Sequence, residues 1–244
     1  MEHRRAAAAG DPLAAAVARA LAAPLGASLA QAIPMPAVTV VVVDGRACDQ
    51  VARALPPLLE ALERAGIGRG RSLLIAADTA PHTGVPLDAL EARRRLGAAA
   101  PGLPLIVPDR EPRPRFRAGT LPDGTPLEFD DELREAEALL LVGPSREVQP
   151  GIPSPDPALL VPGLLGRDAW AALLARRGVR GARDGAFEAA LRAARAAVPV
   201  DFVLAWEDRG VETMAVAGPP EALAGVLRGG SGLAHRPGEA APDS

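Results

Sequence analysis

The chain of 244 residues contains no lysine, no asparagine and no tyrosine, and its single cysteine is Cys48. Without lysine there can be no Schiff base, no amine nucleophile and no lysine to hold a phosphate, so arginine supplies all 27 basic side chains. One cysteine excludes an internal disulfide framework, and with three scattered histidines it argues against a dedicated zinc site. A reducing cytoplasm is therefore the expected compartment. Aromatics amount to 2% of the residues, too few for a stacking platform on single-stranded nucleic acid, and the core must rest on Leu, Val and Ala. Net charge is −3 and the arginines are not gathered into a stripe, which argues against DNA or acidic membranes as partners. No segment approaches the roughly 20 apolar residues of a membrane helix. The alanine-rich start, with Arg4 and Arg5, has the flavour of an export leader, but Asp11 and Arg19 interrupt any apolar run.

What is present alternates between helical and strand patterns. Asp11 before Pro12 reads as an N-cap with proline at the first helical position, predicting a helix from Pro12 to about Ala23, ended by Pro24 and Gly26. "AVTVVVV" (37–43) is the clearest strand. It leads into a helix through "QVARALPPLLEALERAG", where Leu55, Leu58, Leu59 and Leu62 share a face, Gly66 supplies the C-cap, and Pro56-Pro57 should kink or delay it. "SLLIAAD" (72–78), "LPLIVPD" (103–109) and "EALLLVG" (137–143) read as further buried strands, with a helix "PLDALEARRRLG" ending at Gly97. A "PDGT" turn should open into another strand. Residues 143–157 are expected to form an irregular loop, followed by helices at about 167–177 and 184–197 and a hairpin in "VDFVLAWEDRGVETMAVAG". The expected fold is α/β: a mainly parallel, Rossmann-like sheet with helices on both faces plus a C-terminal β-hairpin. Residues 1–10 and 229–244 read as flexible ends of a single domain over 11–228.

Chemistry concentrates where strands hand over to loops, the usual ligand edge of such sheets. Asp44 can serve as acid/base or as a turn-forming cap, and Asp49 reads better as a cap. Cys48, at a helix start, is either a reactive thiol or a packed one. His82, in "AADTAPHTG", is the best-placed titratable group, though loop histidines are often structural. Arg110, Arg113, Arg115 and Arg117, spaced by prolines, suit an anionic ligand or a solvated connection equally well. "GIGRG" at 66–70 precedes a strand, so it is a cap and turn and not a phosphate loop.

Several segments, in order, resemble the N-terminal domain of the nickel-pincer lactate racemase family. "ALAAPLGASL" is similar to its entry segment, and "VVVVDGRA" stands where the family has an apolar strand ending in D-x-T-R. "AADTAPH" falls at its A-T-G-T-H, and "IVPD" at its N-H-D. "AGTLPDGTPLEFDDELREAEALLLVG" follows its L-G-T-x-x-x-G-T-P-V…A-D-L-V-I-G, "LLVPGLLG" its A-V-L-P-G-V, and the final hairpin the one that closes the domain. The resemblance spans roughly 11–220 and implies that domain's fold. In the family it also implies a nickel pincer nucleotide tethered to a lysine, a histidine ligand to nickel, and an acid/base histidine pair for racemising a 2-hydroxy acid.

The matching positions depart from that chemistry. The tether position falls on Ala158 and the nickel-ligand position on Leu174. The acid/base positions fall on Pro108, beside Asp109, and near Val148 or Gln149. The D-x-T-R arginine falls on Ala47, with Arg46 one residue earlier, and the G-T-H histidine on Ala80, with His82 two later. No counterpart of the family's C-terminal domain is found in the sequence. The expectation is a pseudoenzyme or accessory protein without the pincer cofactor. It would keep an anion-accepting cleft formed by Asp44, Arg46, Asp78, Thr79 and His82, with Asp109 nearby. The alternatives are a metal-independent enzyme using His82 with Asp44 or Asp109 on a small carboxylate, and one half of a split racemase whose partner chain supplies the second domain.

Overall fold

The first strand, β1 (Thr39–Asp44), is buried along its whole length, so both its faces need cover. In the computed structural model β1 lies inside a six-stranded sheet, paired in parallel with β2 (Ser72–Ala77) on one side and β6 (Ala138–Pro144) on the other. Residues 10–33, 37–79, 87–107, 114–120, 124–145, 159–161, 163–165, 171, 186–208 and 213–223 are the ones described. The sheet runs β3-β2-β1-β6-β7-β8, with β3 (Leu105–Ile106) at one edge and β7 (Phe202–Asp208) and β8 (Thr213–Gly218) at the other. All neighbours are parallel except the antiparallel pair β7–β8, the expected hairpin. Strand order therefore reverses between β1 and β6, and in open α/β sheets that switch point opens a crevice at the carboxyl ends of the strands.

Alternation along β1 divides the core. Val41 and Val43 face a cluster with α1 (Pro12–Ala22), α3 (Cys48–Arg64) and α4 (Ala89–Ala99). Val40 and Val42 face a second cluster that includes Leu127 and Phe129 of the hairpin formed by β4 (Arg115–Thr120) and β5 (Pro126–Asp130), and Ala194 of α5 (Ala186–Ala197). A short helix α2 (Leu29–Ala32) lies between α1 and β1. Helix starts and stops follow local chemistry. Asp11 Oδ1 accepts from Leu13 N at 2.9 Å and Ala14 N at 3.3 Å, ahead of Pro12. At the end of α3, Gly66 adopts φ +88°, Gly66 N donates to Glu63 O at 3.0 Å and Ile67 N to Leu62 O at 2.9 Å, a Schellman closure.

Several boundaries differ from the sequence reading. Pro56 and Pro57 do not delay α3, which begins at Cys48 and continues past them to Arg64. Each internal proline costs about 3 kcal/mol, and the buried row Val51, Leu55, Leu58, Leu59 and Leu62 outweighs that at about 1.5–3 kcal/mol per side chain. Helix α4 passes through Gly97 to Ala99 because Ala98 and Ala99 continue it and Ala100 N still bonds Leu96 O. The third strand shrinks to Leu105–Ile106, and its flanking prolines, which lack N–H donors, suit an edge. Arg115 and Arg117 lie in a strand, β4 (Arg115–Thr120), antiparallel to β5 (Pro126–Asp130). All of the expected helix at 167–177 except Ala171, the tail after Arg228 and all but the first residues of the 143–157 segment lie outside the described residues. Among the described residues no helix is long and apolar enough to cross a membrane.

Candidate functional site

The register of β1 and β2 sets Asp44 level with Ala77, so the two residues after Ala77 emerge beside Asp44 at the carboxyl edge. Asp44 ends β1 and turns the chain. Its Oδ1 accepts from Arg46 N at 2.9 Å and Ala47 N at 3.3 Å, capping a single 3-10 turn over Gly45–Ala47. The same oxygen accepts from the Thr79 hydroxyl at 2.9 Å. Both side chains are buried, with Asp44 2% exposed. Gly45 lets this turn sit tightly on β2, since a Cβ there would lie 3.0 Å from Ala77 O and from Leu87 Cδ2.

Arg46 leaves the turn toward β2. Its Nε donates to Asp78 Oδ1 at 2.6 Å and its Nη2 to Asp78 Oδ2 at 3.1 Å, a two-pronged fork on one carboxylate. The side chains are 16% and 24% exposed, so the pair borders solvent while being largely shielded from it. Asp44, Arg46, Asp78 and Thr79, all expected at the ligand edge, thus form one connected network with two carboxylates and one guanidinium. His82 and Asp109, the other expected members, lie outside the described residues, as do Ala158 and Leu174.

The neighbouring expectations resolve differently. Asp49 is not a cap: it sits in the first turn of α3 and pairs with Arg95, while the cap position is Ala47. Burial pushes the Cys48 thiol above its ordinary value, with the Arg95 guanidinium pulling the other way. The thiol is half-buried against the core and stays protonated at neutral pH, so the reactive-thiolate reading finds no support. Arg115 pairs with buried Asp130 at 3.3 Å, and Arg117 folds back to Gly119 O at 3.4 Å and Thr120 Oγ1 at 3.3 Å. Between α3 and α4, a surface groove carries Arg53, Arg94 and Arg95 over an alanine floor. Each of these is matched by a carboxylate: Arg53 by Asp11, Arg94 by Glu91, and Arg95 by Asp49 and Glu91. One contact that sequence reasoning missed crosses the switch point. Trp206 Nε1, on the fully buried Trp206 of β7, donates to Gln50 Oε1 of α3 at 3.0 Å, a link between residues 156 apart with no local signal.

No protein-family model matches the chain, and no curated protein does. Among solved structures it is similar to the lactate racemase apoprotein from Thermoanaerobacterium thermosaccharolyticum, with a TM-score of 0.65 at 22% sequence identity, over 88% of this chain and 54% of that one. The chain thus spans about half the length of the racemase, and the two share a fold.

Proposed function

We propose that the chain is a non-catalytic protein built on the lactate racemase N-terminal fold, a single domain over about 11–228. It uses the strand-end crevice to bind a small carboxylate, alone or as an accessory to another protein. The observation that carries this reading is the strand-end network itself. Asp44 commits one oxygen to three donors and Asp78 is held in the Arg46 fork, so among the described residues the edge is built of an ion pair and hydrogen bonds that fix its carboxylates. Arg46 also gives the edge the one residue type that recognises carboxylates in two-pronged fashion. The cytoplasm is the compartment this reading expects, from the single cysteine.

The residues present do not fit the nickel pincer nucleotide. Its tether needs an amine, and the chain has no lysine. Leucine, at the position the resemblance matches to the nickel ligand, cannot bind nickel. The test is direct: purify the full chain, measure nickel by elemental analysis and the nucleotide by intact mass, and assay interconversion of the lactate enantiomers. The expected result is substoichiometric nickel and no racemisation. Stoichiometric nickel with turnover would overturn the proposal.

A second reading rests on the span of the match. Because the chain corresponds to about half of the racemase, a partner chain supplying the remainder would make it one half of a split protein. Co-purification of such a partner, with turnover by the pair alone, would favour that form over a free-standing binder.

A further inference from the structure

We infer that Asp78 is a built-in occupant of a carboxylate site: its side chain fills the Arg46 fork that an exogenous small carboxylate would take, and so holds the strand-end site closed. The inference rests on the reading above and adds its regulation.

The geometry is that of a bound ligand. A guanidinium presents Nε–H and one Nη–H in the plane and spacing of the two oxygens of a carboxylate. Asp78 satisfies both donors at 2.6 and 3.1 Å from a position 32 residues away in the chain. The fork is aimed by the turn behind it, because Asp44 binds Arg46 N and Thr79 binds Asp44. Asp78 in turn follows directly on β2, and its backbone N donates to Gly163 O at 3.2 Å. Both halves of the pair are thus placed by the sheet, and the pair remains 16% and 24% exposed, within reach of a solute from solvent. Charge acts in the same direction: of these three described side chains two are carboxylates and one is a guanidinium, so an incoming carboxylate would add a third negative group beside Arg46. Removing the Asp78 carboxylate takes away the acceptors that hold Arg46 Nε and Nη2, the place a monocarboxylate would take.

Acetate rescue tests this. Wild type, Asp78→Ala and the double variant Asp78→Ala/Arg46→Ala are melted in rising sodium acetate and in sodium chloride of matched ionic strength. A ligand that binds only the folded state raises Tm with its concentration. The expected result is that Asp78→Ala melts below wild type in chloride and climbs with acetate, while wild type and the double variant respond alike in the two salts. The apparent acetate affinity of Asp78→Ala should exceed that of wild type by about tenfold to a hundredfold, as expected for recovering charge-assisted hydrogen bonds. Asp78→Asn, which keeps the shape and one acceptor oxygen, guards against loss of folding in Asp78→Ala and should show a smaller acetate response. Wild type responding as strongly as Asp78→Ala would overturn the inference, as would a double variant that responds like the single one. So would acetate indifference in both single-site variants. Nickel content and racemisation report on the earlier reading and acetate response on this one, so either can fail alone.

Discussion

Removing the Asp44 carboxylate is the sharpest test of whether the strand-end turn is held as described. In Asp44→Ala, Arg46 N, Ala47 N and the Thr79 hydroxyl lose a shared acceptor that is 2% exposed. Hydrogen bonds to charged groups are worth about 1.5–3 kcal/mol each, and losing a capping side chain costs about 0.5–2 kcal/mol. Against these stands the relief of no longer burying a carboxylate. With one strong bond from Thr79, two backbone bonds of capping type and that offset, the net cost is about 2–4 kcal/mol. Set against a typical total stability of about 5–15 kcal/mol, that is a large fraction.

Thr79→Val removes the hydroxyl at nearly constant volume and should cost about 1–2 kcal/mol. Because both variants delete the same 2.9 Å bond, the double variant must cost less than the two single costs together. The expected coupling is about 1 kcal/mol or more. The assay is urea unfolding at neutral pH followed by far-UV circular dichroism, with unchanged m-values confirming that the unfolded states are comparable. Costs that simply add, with coupling below about 0.5 kcal/mol, would refute the shared-acceptor account.

Two further perturbations probe the frame around the site. A Cβ on Gly218 would come within 2.2 Å of Leu25 O, in the segment that clips onto β8 through Leu25 N and Ala217 O at 2.7 Å; Gly218→Ala should therefore lose about 1–3 kcal/mol or more in the same urea assay, and wild-type stability would count against the clip. Burial raises the carboxyl of Asp201, which accepts from Leu139 N at 2.8 Å. A raised folded-state value means that the stabilisation is present below the unfolded-state value and is lost as pH rises through the folded one, so at neutral pH the buried charge is a cost. Asp201→Asn keeps an acceptor oxygen, and should melt higher than wild type at pH 7 and lose that advantage in acid; a constant difference across pH would refute the assignment.

Much of the fold was legible because its signals are local. Asp11-Pro12 caps α1, Gly66 closes α3, and the apolar runs 39–44, 72–77 and 138–143 are strands because they are buried on both faces. Sequence reasoning failed where packing overrode local preference. Pro56-Pro57 read as a kink or a delayed start, yet α3 begins eight residues before Pro56 and its leucine face carries the helix past both prolines. Arg115-Phe116-Arg117 was read by its prolines and charge, although its period-two alternation, with Phe116 packed inward, was the signal for β4. At the site, membership was legible and wiring was not. Parallel neighbours end at one edge, so Asp44, Arg46, Asp78 and Thr79 could be placed together from the strands alone. That Arg46 would grip Asp78, or Gln50 would meet Trp206, depends on a register that no local pattern encodes.

This wiring changes what the retained aspartate implies. The resemblance placed Asp44 at the aspartate of the family's D-x-T-R, and the persistence of that residue type could be taken as a trace of the reaction. Yet two of the bonds its Oδ1 accepts are those of a capping aspartate, and the third ties the turn to Thr79. These three bonds are explained by the turn and its tie to Thr79, whatever became of the chemistry. The same cannot be said of Arg46 and Asp78. The turn is already closed by Asp44 through Arg46 N and Ala47 N, so the Arg46–Asp78 fork is not needed to close it. If either residue is there for function, it is this pair, and the functional question at the strand ends is what displaces Asp78 from Arg46.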